Sequence, residues 1–166
     1  MNAVVNVVKK VSNLIGKGIA ACLFLALAVL VCVTFMQVVC RFVLMIPVAW
    51  SEEVARMCFV WLIFLGAAIA VKEGTHLVLD MVTSMVGPRA RTAMQYWVLS
   101  LILASSGVIL YAGVNYCMRA IGKTAVTMQI PSNTVYSAVP ISAALMIFFA
   151  LEKILEKMTE KGGAQA

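Results

Sequence analysis

From Gly18 to Cys40 no residue carries a charge, and Met57 to Val71 is a second charge-free run. Between them lies Trp50-Ser51-Glu52-Glu53-Val54-Ala55-Arg56, with Arg41 a little before it. This alternation constrains the fold more than any other feature. A helix needs roughly 20 apolar residues to cross about 30 Å of hydrocarbon, and the first run supplies them. A charge at the centre of such a helix costs on the order of 2.5–3.5 kcal/mol. Two acids and an arginine kept so close to spanning sequence therefore hold something, either another part of this chain or a partner.

With 63% hydrophobic and 12% charged residues, the chain lies outside the soluble range of about 45–50% apolar and about 25% charged. Two more charge-free runs follow, Thr92–Met118 and Thr124–Leu151. Within the latter, Gln129-Ile130-Pro131-Ser132-Asn133 reads as a loop. Met57–Val71 alone would be about 22 Å long as a helix, too short to cross. Its helix must begin near Val48, which puts Glu52, Glu53 and Arg56 in its first turns at the membrane boundary. The expected fold is an all-α integral membrane protein with four transmembrane helices, at about residues 18–45, 48–72, 92–118 and 134–152 of a membrane domain spanning 18–155. The first span reads as a retained anchor. Its apolar run exceeds a signal-peptide core of 7–15 residues, and no small-residue cleavage site precedes a hydrophilic region.

Lysines and arginines orient the spans by the positive-inside rule. Lys9, Lys10, Lys17, Lys72, Arg89, Arg91, Lys153, Lys157 and Lys161 fall on one side, against Arg41, Arg56, Arg119 and Lys123 on the other. Both termini are expected in the cytoplasm. The net charge of +6 is then the cytoplasmic collar of a membrane protein, and no nucleic-acid partner is called for. Cys22, Cys32, Cys40, Cys58 and Cys117 contain no C-x-x-C pair and read as small packing residues.

Two amphipathic segments flank the spans. In residues 1–17, Asn2, Asn6, Lys9, Asn13 and Lys17 recur at steps of three and four opposite a valine-rich side. This is an interfacial helix lying in the membrane plane, or else an extension of span one. Between spans two and three, a second in-plane helix is expected at about 76–87, closed by Pro88. Its polar side carries His76, Asp80, Thr83 and Ser84. His76 and Asp80 are two ligands without a third, a weak metal signal beside an ordinary His–Asp hydrogen bond. Small residues along spans two and three, Gly66 and Gly113 among them, permit close helix approach. Pro140 removes a backbone donor and should bend span four. The tail, 156–166, follows a row of alternating Glu and Lys that suggests a helix continuing into solvent.

Arg41 stands six residues before Pro47 and Glu53 six after it, at similar depth in an antiparallel hairpin. Arg41 is expected to meet Glu52 or Glu53, and Glu52 is also an i,i+4 partner of Arg56. Arg41, Glu52, Glu53 and Arg56 form either a charge clamp within the chain or a contact for a partner subunit. Trp50 and Trp61 are rings of the kind that anchor at interfaces, although Trp61 lies deeper and has the alternative of facing a partner.

No catalytic constellation, phosphate loop or nucleophile elbow is present, and a single histidine excludes a bis-His haem subunit. The chain reads as a non-enzyme without a cofactor or metal of its own. Spans three and four carry no acid or base inside, and no internal repeat or midplane polar site of the transporter kind is evident.

Arg41, Trp50-Ser51-Glu52-Glu53 with Arg56, Trp61, Phe64-Leu65-Gly66-Ala67-Ala68, Gly74-x-His76 and Asp80 together resemble one family. It is the small membrane subunit of TRAP transporters, the tripartite ATP-independent periplasmic systems. The resemblance covers about residues 18–155. It implies an inner-membrane scaffold that braces a large transport subunit and helps dock a periplasmic binding protein. It also implies sodium-driven uptake of an organic anion, such as a C4-dicarboxylate or sialic acid, with sodium held by the large subunit. Arg119 and Lys123, in the outer loops, are candidate docking residues or simply solvated charges. Membrane lipids are the remaining partners. Two rival readings are a homodimeric four-span exporter and an assembly or sensor protein. An exporter requires a membrane-embedded acid, and Glu52 and Glu53 sit near a helix start beside arginines.

Overall fold

The computed structural model describes the backbone at residues 2–83, 88–122 and 133–163, with side chains at 7–73, 94, 96–122 and 133–155. Every regular element among the described residues is helical: α1 (Asn2–Phe42), α2 (Ala49–Thr83), α3 (Pro88–Arg119), α4 (Asn133–Tyr136) and α5 (Ala138–Gly163). Four stretches are long and apolar enough to cross a membrane: Val7–Phe42, Ala49–Glu73, Tyr96–Arg119 and Asn133–Leu155.

The 41 residues of α1 would extend about 62 Å if straight, and the 35 of α2 about 52 Å. Both exceed the ~40–45 Å of a bilayer with its headgroups. The two surface helices expected from the sequence are found as continuations of these long helices. Residues 2–17 run into span one without a break, and 76–83 prolong span two; 84–87 lie outside the described residues. The Lys72-Glu73 pair ends the apolar run but not the helix, because Lys, Glu, Leu and Met are good helix formers. Gly74 alone costs only about 1 kcal/mol. Pro88 opens α3. At a first helical position its missing N–H would have had no partner in any case.

Span four is divided as Pro140 requires, but the break lies one turn upstream of the proline. Pro140 has no N–H for the Tyr136 carbonyl, and α4 ends at Tyr136 with Ser137 as a turn. Ser137 N donates to Asn133 O at 2.9 Å and Ile141 N to Ser137 O at 3.2 Å, so the chain re-enters helix at once.

The spans form an open row in the order α1, α2, α5, α3. Helix α2 packs against α1 and α5 and α5 packs against α3, with smaller contacts of α1 with α5 and of α2 with α3; α1 and α3 do not touch among the described residues. Helix α5 is the innermost, with Ala138, Ser142, Ala143, Phe149 and Ala150 fully buried. Ile19, Leu65, Ala68 and Phe149 form a core cluster joining α1, α2 and α5. At the crossing of α3 with α5, a Cβ on Gly113 would lie 2.9 Å from Val139 Cγ1 and 3.2 Å from the Pro140 nitrogen. Gly66, by contrast, has nothing within 4 Å of such an atom.

Gly113→Val should therefore force α3 from α5 and destabilise the fold by about 1–3 kcal/mol, as overpacking does. Thermal unfolding of the detergent-solubilised chain checks this, with Gly66→Ala expected to leave the midpoint essentially unchanged.

Candidate interaction site at the first helical hairpin

The α1–α2 turn is built from the backbone outward. Val43 N donates to Val39 O at 2.8 Å and Ile46 N to Cys40 O at 3.0 Å. Met45 takes a left-handed φ of 55° between them. Helix α2 starts after Val48, whose carbonyl accepts from Ser51 Oγ at 2.6 Å and from Ser51 N at 3.3 Å. Ser51 is fully buried and ties the first turn of α2 to the loop.

On this scaffold the predicted charges are spread outward. Glu52 lies in the first turn of α2 and Arg41 in the last turn of α1, where each sign suits its helix dipole. Arg41, Glu52 and Arg56 are exposed; Glu53 is half-buried and engaged with a neighbour. Arg41 is not brought into an ion pair with either acid among the described residues. Val33, Gln37, Val39 and Cys40 are the half-buried positions along this part of α1, whereas Arg41 is exposed, like Val38 and Phe42. Arg56 is within electrostatic reach of Tyr136 of α4. Tyr136 hydrogen-bonds to Tyr116 of α3, with the two rings edge to face at 4.8 Å and 84°. Close by in sequence, Cys117 Sγ hydrogen-bonds to Asn133 Oδ1. The end of α3 is thus held to the start of span four.

The remaining predicted residues separate. Trp50 is exposed at the start of α2, at the edge of the span. Trp61 is no rim residue: its ring packs on the Ile19–Leu65–Ala68–Phe149 cluster. Gly66 keeps open space beside it. Arg119 ends α3 and is exposed. His76 and Asp80 share the prolonged part of α2, but their side chains lie outside the described residues, as does Lys123 altogether. Of the cysteines, all free, Cys58 alone is buried, whereas Cys22 and Cys32 are exposed. Cys40 and Cys117 are half-buried, so the expected packing role fits Cys58 best and does not fit Cys22 or Cys32 within this chain.

Residues 30–160 match the family described as tripartite ATP-independent periplasmic transporters, DctQ component. The chain belongs to that family. A sialic acid TRAP transporter small permease protein of Vibrio cholerae is 30% identical over 132 residues, which is 80% of this chain and 76% of that protein. A C4-dicarboxylate TRAP transporter small permease protein of Rhodobacter capsulatus is 27% identical over 64% of this chain and 48% of its own. A sialic acid TRAP transporter permease protein of Haemophilus influenzae is 27% identical over 68% of this chain but only 18% of its own length. As a DctQ-family chain with four spanning helices, this is a multi-pass inner-membrane transporter component and not an enzyme.

Glu53, the one acid of the hairpin held in place, should be the sensitive position. Glu53→Lys is expected to disrupt folding or assembly, seen as lost monodisperse protein in size-exclusion chromatography. Glu52→Gln, at an exposed site, should leave the isolated chain intact. Normal assembly and transport by the Glu53→Lys protein would remove this site from consideration.

Proposed function

We propose that the chain is the non-conducting small subunit of a TRAP transporter, a brace for the large permease subunit that also helps dock the periplasmic binding protein. The supporting observation is how polar side chains within the spans are satisfied. Thr34 Oγ1 donates to Leu30 O at 2.7 Å, Ser105 Oγ to Ile102 O at 3.1 Å, Asn115 Nδ2 to Tyr111 O at 3.0 Å and Ser142 Oγ to Ala138 O at 2.6 Å. Each turns back on its own helix. None of these groups is left facing a neighbouring span to line a solvated path, and a substrate route needs polar groups at midplane depth.

The open row supports the same reading. A row of helices presents two broad apolar faces where a closed bundle presents a narrow rim. Large apolar side chains stand exposed along α1 (Phe24, Val31, Phe35, Phe42) and α3 (Trp97, Leu101, Val108). Bilayer and large subunit together cover them. The exposed Arg41, Glu52 and Arg56 then lie on the periplasmic side, and both termini lie in the cytoplasm, as the lysine distribution requires. The transported class is an organic anion, a carboxylate of the sialic acid or C4-dicarboxylate kind named for the relatives, with uptake driven by sodium bound in the large subunit. Arg119 and Lys123 are the outward cations available to acids on the binding protein.

The test is purification in mild detergent with co-expressed genomic neighbours, followed by the mass of the intact complex. A one-to-one complex with a much larger membrane protein is expected. A homodimer or a lone monomer would overturn the brace. Neutralising Arg119 and Lys123 together should weaken the dependence of transport on binding-protein concentration; an unchanged dependence removes the docking role.

A further inference from the structure

The turn between α1 and α2 is apolar where a turn is ordinarily polar. Phe42, Val43, Leu44, Met45 and Ile46 are large hydrophobic residues in succession, and all are exposed, Met45 at 79% and Val43 at 72%. A connecting segment in water usually carries polar residues with Gly or Pro, and a run of exposed apolar residues there signals a function. Met45 holds the left-handed φ of 55° within this turn. Glycine takes that conformation without the steric penalty of a Cβ. A methionine at this position retains a long, adaptable side chain where the backbone would favour none.

The charges beside the turn decide what does not cover it. Arg41 in the last turn of α1 and Glu52 in the first turn of α2 are both exposed. Both belong to the spanning stretches, so the chain passes Arg41 on its way out of the first span and Glu52 on its way into the second. Sinking residues 42–46 into hydrocarbon would carry both charges deeper still, where a charge is costly. The turn therefore stands at or beyond the headgroup layer, and lipid tails do not cover it.

Composition and area indicate what does. Interfaces of permanent complexes are more apolar than those of partners that come and go. An uninterrupted apolar turn suits a partner that stays bound. A stable interface takes about 800 Å² from each partner, and no contact covers every side of a short turn. The footprint continues down α1, where Val31, Phe35 and Val38 are exposed at steps of four, three and four along the same helix face as Phe42. A partner covering both parts reaches from the hydrocarbon to the outer surface and is itself a membrane protein. Arg41 and Glu52 give the turn a rim of opposite signs, complementary to an acid and a base at the edge of a recess.

We propose that residues 42–46 seat as an apolar anchor in a recess of the large permease subunit, at the periplasmic boundary of the membrane, with Arg41 and Glu52 pairing at its rim. The inference rests on the small-subunit reading above and adds the surface through which the two subunits join.

The test co-expresses the full chain with the large subunit and the binding protein encoded beside it, with Leu44 replaced by the photoreactive benzoylphenylalanine. Irradiation should join the chain to the large subunit. Adducts to lipid alone, or to the binding protein, would overturn the assignment. In parallel, Val43→Ser with Leu44→Ser should lower the large subunit retained on the purified chain about tenfold, the scale of removing an anchor from an interface. The thermal midpoint of the isolated chain should not change, because both side chains are exposed. Should that midpoint fall, the cross-link decides. Ile121→Ser, at an exposed apolar residue following α3 at the far end of the row, should retain the large subunit in full. If the unaltered chain forms no complex with the large subunit, the subunit reading and this inference fail together. A complex that survives the double serine variant, or that Ile121→Ser weakens equally, overturns the anchor alone.

Discussion

Helix α5 is the element on which the rest depends. In a bilayer, apolar surface gains nothing by leaving lipid for another helix, so association rests on close packing and hydrogen bonds. Small residues bring backbones near enough for both. Helix α5 supplies them at Ala138, Ser142, Ala143 and Ala150, all fully buried, and receives α3 at Gly113. One large side chain, Phe149, fills the space this leaves against Ile19, Leu65 and Ala68. Because α1 and α3 do not touch among the described residues, α5 links the first hairpin to the third span. Loosening α5 would leave only the smaller α2–α3 contact between the first hairpin and the third span and would remove Phe149 from the shared core.

The outer helices are open in consequence. A row exposes more helix surface than a bundle of the same helices, and the hydroxyl and amide groups on those surfaces must be satisfied without water. Back-bonding of Thr34, Ser100, Ser105 and Asn115 to their own helices does this locally. At these four positions the helix faces can meet lipid or protein without rearrangement. A static brace requires that property, and a conduction pathway requires the opposite one.

The sequence made the four spans legible because apolar run length maps directly onto bilayer thickness. It marked the Pro140 discontinuity for the same kind of reason: one residue lacks one donor. It misjudged where helices stop. Hydropathy falls at Lys72-Glu73 while helical propensity does not, so α2 continues to Thr83. Sequence spacing could propose that Arg41 meets Glu52 or Glu53, but which way each side chain leaves its helix is decided by packing, and Arg41 is exposed. The Lys72 contact was invisible for a further reason. Lys72 counted as one more topogenic charge, and only the packing of α1 on α2 reveals that Gly16 leaves room for it. A glycine facing a lysine across two helices has no signature within either helix.

The two membrane boundaries use charge in opposite ways. At the α1–α2 turn, Arg41, Glu52 and Arg56 are exposed, and Glu53 is half-buried. At the other end Lys72 is tied to a backbone carbonyl and an aromatic ring, and Lys153 is buried. An exposed charge of mixed-sign surroundings contributes little to the stability of an isolated chain, since solvent screens it. Its value lies in what approaches it. An inward ammonium is costly unless compensated, and for Lys72 the Ser12 carbonyl and the Phe149 ring do so at the helix junction. The turn is thus suited to recognition from outside, whereas the lysine end is suited to fixing the helices against one another at the headgroup layer. That division fits the proposed brace, with packed charge at one boundary and exposed charge at the other.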